Sequence, residues 1–408
     1  MSRSCWQTGS STQQPSMDKQ KLAVILPLGL TQTIAWASTY YLPAILARPI
    51  ATELDVPSSY IYAALTGALI IAGLLGPRVG GAIDRVGGRE LLCISNVLFA
   101  LGLLVLGLSH GPLLLVLAWA LLGVGMGLGL YEAAFATLTR YYGSQARSAI
   151  TGITIIAGFA STVGWPLTTV IESHYGWRVA CFSWACVHIV LALPLNLWLP
   201  RFTKTAHVEA IADDSPVHTK ATELRAMVLI GYVFAATGLI SVGLSALLPL
   251  LLIELGATPA VALLSATLVG PAQVAARIVE ASLLKKLHPV TSTRIATLAH
   301  PLGAVLVAFG GPVVAPVFAV LYGAGNGVLT IARGTLPLAV FGPAGYGRRV
   351  GLLAMPARIT GAAAPLTLGL AIEHFGIHVL WITSAISLSA FVALMLFSTK
   401  PVSSQSSA

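Results

Sequence analysis

An all-α membrane protein, with twelve transmembrane helices in two six-helix pseudo-symmetric halves, is the fold class this sequence predicts. Three observations predict it. First, the chain is 56% hydrophobic, with a mean hydropathy of +0.85 and only 9% charged residues, against about 25% charged in a soluble domain. Too few charges remain to coat a water-soluble surface of 408 residues. Second, the apolar residues fall into twelve stretches, each close to the roughly 20 residues that a helix needs to cross a bilayer. Third, short patterns recur at one offset of 200 positions: Gly111-Pro112 and Gly311-Pro312, Gly123-Val-Gly125-Met-Gly127 and Gly323-Ala-Gly325-Asn-Gly327, His174-Tyr175-Gly176 and His374-Phe375-Gly376. Several matches in one register point to a duplicated membrane unit.

In chain order, residues 1–21 are polar and form a cytoplasmic tail without a cleavable signal peptide. Its first sixteen residues are either a true extension or an over-long start, since Met17-Asp-Lys-Gln-Lys opens span 1 in the ordinary way. Spans follow at 22–46, 60–82, 91–109, 113–139, 149–171 and 179–199, making an N-terminal half of 22–199. A polar cytoplasmic linker, 200–225, separates it from spans at 226–253, 258–282, 293–310, 313–338, 350–372 and 378–397. These make a C-terminal half of 226–397, and 398–408 is a cytoplasmic tail.

The net charge of +9 and pI of 9.6 would suggest nucleic acid in a soluble chain. Here the charges report topology. With the N-terminus inside, eighteen Lys and Arg residues fall in inside segments, against Arg48 and Arg178 outside. That is the positive-inside rule with both termini and the linker cytoplasmic, and the inner (cytoplasmic) membrane as location. The partners expected are a small solute, a coupling proton and the lipid bilayer, with no nucleic acid and one copy of the chain. Cys5, Cys93, Cys181 and Cys186 form no ligand-spaced cluster, so neither a metal, a cofactor nor a disulfide framework is expected.

The turn between spans 2 and 3 reads Gly80-Gly-Ala-Ile-Asp84-Arg85-Val-Gly87-Gly88-Arg89-Glu90. It resembles the signature loop of the major facilitator superfamily, with one extra glycine before Arg89. Twelve spans, a central linker and Gly176-Trp177-Arg178 at span 6 extend the resemblance over nearly the whole chain. What the resemblance implies is a gate built from Gly80, Asp84, Arg85, Gly87 and Arg89, in which Asp84 docks on the N-terminus of span 11 near Gly351. Glycines allow that close approach, and a carboxylate suits a helix N-terminus. The resemblance also implies that spans 1, 4, 7 and 10 line a central cavity. Two departures stand out. Trp119 occupies the position where many proton-coupled members carry arginine, and Gly164-Trp165-Pro166 is only a loose version of the exporter motif of span 5.

Ionisable residues within spans cost roughly 2.5–3.5 kcal/mol each on insertion scales and mark function. Glu132, Arg277, Arg333 and Arg358 are such residues. On span 10, Asn326, Thr330 and Arg333 share a helical face; on span 8, Gln273, Arg277 and Glu280 do, which suggests that Glu280 neutralises Arg277. Gln32, Trp36 and Tyr40 line one face of span 1, and Ser241 and Ser245 one face of span 7. Glu132 and Arg333 are expected to face each other across the pseudo-twofold axis, either as a structural ion pair or as a proton site with its switch. Arg277 and Arg358 are expected to contact substrate or to serve packing and gating, and His300 to be a packing histidine.

An ATP-driven pump would need a Gly-x-x-x-x-Gly-Lys-Ser/Thr loop, which this sequence lacks. An enzyme would need clustered catalytic groups, which it also lacks. A secondary active transporter working by alternating access remains. Stretches 31–41 and 158–166 are similar to a branch that includes arsenite-type exporters, implying proton-coupled efflux of a small toxic polar solute. The alternative is transport of a small anion such as a monocarboxylate, since Arg277 resembles the span-8 arginine of carboxylate carriers. A transporter-like sensor is the distant third reading.

Overall fold

The computed structural model describes residues 17–201, 220–284 and 286–397. The tail before Met17, most of the linker and the tail from 398 onward lie outside the described residues, as do Cys5, Lys204, Lys285 and Lys400. Among the described residues every regular element is helical. Among the described residues nine apolar helical runs are long enough to cross a bilayer, and three of them, Pro112–Tyr175, Pro289–Phe341 and Tyr346–Met395, are 64, 53 and 50 residues long. Each of those three is long enough for two crossings of about 30 Å at 1.5 Å per residue, which makes twelve spans.

In the first half, span 1 is Met17–Ser38 continued by Pro43–Glu53, span 2 is Ser58–Val86 and span 3 is Arg89–Gly107. Span 4 is Pro112–Gly129 continued by Tyr131–Tyr142, and span 5 is Arg147–Ala157 continued by Ala160–Tyr175. Span 6 runs from Trp177 to Trp198 through a π-helical turn at His188–Ala192. The second half has Lys220–Glu254, Pro259–Ser282, Pro289–Gly310, Ala315–Phe341, Tyr346–Phe375 and Val379–Met395 as spans 7 to 12. Several helices outrun the apolar stretches. Span 2 continues through Asp84-Arg85 and span 11 starts at Tyr346, because backbone hydrogen bonding does not stop at the edge of the hydrocarbon.

The sequence repeat has a packing counterpart. Gly123 and Gly127 bring span 4 onto Ala68 and Ala72 of span 2, while Gly323 and Gly327 bring span 10 onto Val269 and Gln273 of span 8. A Cβ on Gly123 would sit 2.7 Å from Ala68 Cα, and one on Gly323 the same distance from Val269 O. Small residues are what let membrane helices approach this closely. The end caps are paired too. Arg89 of span 3 donates to the Leu197 carbonyl at the end of span 6, and Arg294 of span 9 donates to Leu394 O at 2.8 Å at the end of span 12.

The two halves meet at the end that carries the Asp84 turn, here called the basic end. One buried apolar cluster crosses the seam there: Ile83, Phe135, Leu138 and Ile150 of the first half pack with Leu338, Tyr346 and Val350 of the second.

Candidate functional site

Four backbone interruptions prepare the middle of the bundle. Span 1 breaks at 39–42, before Pro43, which has no N–H to continue the helix. Span 4 breaks at Leu130, whose backbone is extended (ψ −170°), and Gln32 Nε2 donates to Gly129 O at 2.6 Å beside it. Span 5 breaks at Gly158-Phe159, and span 6 carries its π turn. Irregular backbone at membrane depth survives where it is buried in protein or lines a cavity.

The charged residues gather beside these breaks. Glu132 sits two residues past the span 4 break and forms an ion pair with Arg358 of span 11 at 2.5 Å. Gly73 of span 2 makes room for Arg358, since a Cβ there would lie 3.3 Å from the arginine's own Cβ. This corrects the pairing expected from the repeat. Arg333 is within electrostatic reach of Glu132, Tyr40 and Arg358, but the carboxylate is held by Arg358. The reason is geometric: span 11 packs directly on span 2 beside Glu132. A 200-residue offset between two chain positions sets no such contact. Both members of the pair keep some accessibility, with side-chain exposures of 21% for Glu132 and 13% for Arg358.

Arg277 is corrected as well. It is 4% exposed and turns toward span 5, where Nη1 donates to Thr154 O at 2.7 Å. It also hydrogen-bonds to the Tyr131 side chain, and Nη2 reaches Gln273 Oε1 at 3.4 Å. Glu280 does not neutralise it; that carboxylate pairs with Arg147 at the start of span 5, at 2.8 Å. An arginine arm reaching from across the seam outcompetes the neighbour one turn away. Among the described residues neither Arg277 nor Arg333 has a carboxylate within ion-pair distance, and the Nε of each is buried without a hydrogen-bond partner. The centre thus holds three guanidinium groups and one carboxylate.

An aromatic group stands next to these charges. The Trp36 ring lies 5.3 Å from Tyr40, 6.2 Å from Tyr41 and 5.0 Å from Tyr131, and Tyr131 stacks on Phe135. Trp165 extends the group through Tyr41. Trp36 Nε1 and Gln32 Oε1 are buried without partners. Gln32 and Trp36 lie on the same helix of span 1, and Tyr40, just past its end at Ser38, still reaches the Trp36 ring; Tyr41 and Trp165 stand in the sequence only within motif stretches, and Tyr131 is added by the structure. Tyr131, next to Glu132 and four residues before Phe135, carried a helical-spacing signal that would have found it.

The remaining polar stripe is tied up within the second half. Ser241 Oγ donates to Asn326 Oδ1 at 2.8 Å, and Thr330 Oγ1 returns to Asn326 O of its own helix. Asn326, Ser241 and Tyr322 surround a cavity of about 20 Å³, room for about one water molecule, together with His300. His300 Nε2 bonds to Thr383 Oγ1 at 3.0 Å.

At the basic end Asp84 accepts from two backbone N–H groups of span 11, Gly347 at 2.8 Å and Arg348 at 2.9 Å. These are among the first N–H groups of that helix, which have no intrahelical partner, so one carboxylate satisfies both. Gly80 packs against the Gly347 carbonyl so closely that any side chain would collide with it. Gly87 turns the chain with φ +91°, Arg85 is exposed, and Arg89 serves span 6 of its own half rather than the seam. Across the seam, Arg147 adds a second fastening from span 5 to Glu280 and to Leu287 O at 2.7 Å. His288, next to that carbonyl and outside the spans, is held below the usual imidazole range by burial first, then by Arg147 and Arg294.

The Major Facilitator Superfamily family model matches residues 28–319. The 3-(3-hydroxy-phenyl)propionate transporter of Escherichia coli (strain K12) is 28% identical over 294 residues, covering 69% of this chain and 70% of that protein. The agnestins efflux protein AgnL12 of Paecilomyces divaricatus is 27% identical over 192 residues, 43% of this chain and 42% of its own length. The chain spans less than half the length of the first curated relatives it matches, 23% to 42%. Among solved structures, the proton:xylose symporter XylE aligns with a TM-score of 0.73 over 93% of this chain and 96% of that one, at 16% identity.

Proposed function

We propose, for a chain that belongs to the major facilitator superfamily and is a multi-pass secondary transporter, that its cargo is a small organic anion and its coupling ion a proton. The observation that carries this reading is the charge imbalance at the seam: three guanidinium groups, those of Arg277, Arg333 and Arg358, stand with the one carboxylate of Glu132, and neither Arg277 nor Arg333 has a carboxylate partner among the described residues. A buried charge left unpaired is costly, and membrane proteins tolerate it where a ligand completes the site. A guanidinium offers a carboxylate two parallel hydrogen bonds. The Trp36–Tyr40–Tyr131 rings offer the rest of such a molecule an apolar face with polar rims. The similarity to a transporter named for 3-(3-hydroxy-phenyl)propionate, a carboxylate carried two carbons from a hydroxyphenyl ring, supports the same chemistry.

Glu132 gives a route to coupling. Its carboxylate and an incoming anion compete for Arg358, so an anion that takes Arg358 favours a protonated Glu132. Breaking that pair also loosens span 11 against span 4, which belongs to the first half. Protonation on one side and release on the other then bias the alternation between the two faces. The substrate and coupling residues are Arg277, Arg333, Arg358 and Glu132, with Gln32, Trp36 and Tyr40 lining the site and Asn326, Thr330 and Ser241 behind it. All lie within one chain, so a monomer suffices. Anion and proton then favour each other's binding, so the two move in the same direction; likeness to a protein named for efflux bears on the direction of the cargo alone. Arsenite fits less well: a neutral hydroxide leaves both arginines uncompensated, and Cys93, Cys181 and Cys186 lie on spans 3 and 6, away from the arginines. The positive-inside count makes the basic end cytoplasmic; a reporter fused at Pro216 that reads as extracytoplasmic would refute that orientation.

The test is transport in proteoliposomes under an imposed pH gradient, with labelled 3-(3-hydroxyphenyl)propionate and arsenite in parallel. Movement of the anion that Arg333→Gln abolishes is the expected result. Movement of arsenite alone would overturn the reading.

A further inference from the structure

A crevice of about 330 Å³ opens on the outer surface of the second half, between spans 7 and 11. Val228, Gly231, Tyr232 and Ala235 of span 7 line it, with Leu352 and Pro356 of span 11. Val228 and Tyr232 are 62% and 45% exposed and Leu352 39%, so this wall faces lipid rather than the seam. Gly231 keeps the crevice open: a Cβ there would find its nearest neighbours, Leu353 and Pro356, only at 3.8 and 4.0 Å. The two helices are not drawn together at this point although they pack closely elsewhere, as at Gly238 against Ala357.

The chemistry changes one turn toward the basic end. Arg225 lies three residues before Val228, and Arg348 four before Leu352, so helical spacing places each below the crevice on its own helix. Both are exposed. Arg349 beside them is neutralised by Glu223 at 2.7 Å, which leaves two positive charges at the mouth without a carboxylate partner among the described residues. An apolar slot at acyl-chain depth under two free guanidinium groups matches one molecule, a phospholipid with an anionic headgroup. We propose that the chain binds such a lipid here, its acyl chain in the crevice and its phosphate between Arg225 and Arg348. The site bears on the gate, because the backbone N–H of Arg348 is one of the two that Asp84 holds. A lipid seated on this turn fixes the start of span 11 in the position that Asp84 grips. It therefore favours the conformation closed at the basic end.

The experiment is native mass spectrometry of the purified full chain from nanodiscs of phosphatidylglycerol and phosphatidylcholine in equal parts. Wild type is expected to retain one phosphatidylglycerol in preference to phosphatidylcholine. Arg225→Gln with Arg348→Gln should lower that preference about fivefold for each arginine removed. Gly231→Leu, which fills the crevice from the other side, should release the lipid while leaving both arginines in place. Circular dichroism and detergent size-exclusion profiles like those of wild type establish that the variants fold. Equal retention of the two lipids by wild type, or unchanged phosphatidylglycerol retention in both variants, would overturn the proposal.

Discussion

Replacing Asp84 with asparagine tests the fastening at the basic end. The carboxylate accepts from Gly347 N and Arg348 N at 2.8 and 2.9 Å, at the positive end of span 11. An asparagine oxygen can keep one of these bonds, but its NH₂ group meets the other N–H donor to donor, and the negative charge is gone. A hydrogen bond to a charged group is worth about 1.5–3 kcal/mol, and a favourable charge at a helix terminus up to about 2 kcal/mol when partly buried. The second term overlaps the first, so a loss of about 2 kcal/mol is the working figure, a factor of about thirty in a conformational equilibrium. A carrier about 97% closed at this end would then become about half closed. Spin labels at Val86 of span 2 and Leu283 just after span 8, which are 61% and 76% exposed, report the opening by double electron–electron resonance in a cysteine-replaced background. The long-distance population should rise to about half in the variant, with expression and insertion unchanged. A distance distribution identical to that of the parent would refute the reasoning and reduce the turn to a topology signal.

Two further outcomes follow from the seam. Glu132→Gln should abolish pH-driven accumulation while exchange between equal anion pools survives, because exchange needs the swing but no protonation cycle; loss of both, restored by also replacing Arg358, would make the pair structural. Gly80→Leu should prevent closure at the basic end and stop transport, since its side chain would fall on the Gly347 carbonyl; normal transport by this variant would contradict the close packing of spans 2 and 11.

The fold was legible because solvent dictates it. A chain with 9% charge can bury itself only in lipid, and lipid permits helices. The repeated glycines were legible as well, because the same close helix approach is needed in each half. The site was legible one helix at a time. Helical spacing gathered Gln32, Trp36 and Tyr40, and apolar surroundings marked Glu132, Arg277, Arg333 and Arg358. Pairing between helices was not legible. Glu132 meets Arg358 and not Arg333, and Glu280 meets Arg147 and not Arg277. Both partners depend on which spans cross and at what depth, and periodicity within one helix carries neither. The break at Leu130 was missed because Leu and Gly read as continuous span, and the break at 39–42 because a proline such as Pro43 also sits inside unbroken spans of this chain, as Pro27 and Pro249 do; tertiary contacts decide which of them stops the helix.

The most direct measurement of the central claim is a binding comparison between a carboxylate and its neutral twin. Isothermal titration of the purified protein with 3-(3-hydroxyphenyl)propionate and with its primary amide holds ring, length and hydroxyl constant and removes only the charge. Two arginines without a carboxylate partner predict that the acid binds at least about tenfold more tightly, each charged hydrogen bond being worth about 1.5–3 kcal/mol. Arg333→Gln should erase the difference. Equal affinity for acid and amide, or an acid preference that survives replacement of both Arg277 and Arg333, would contradict the account.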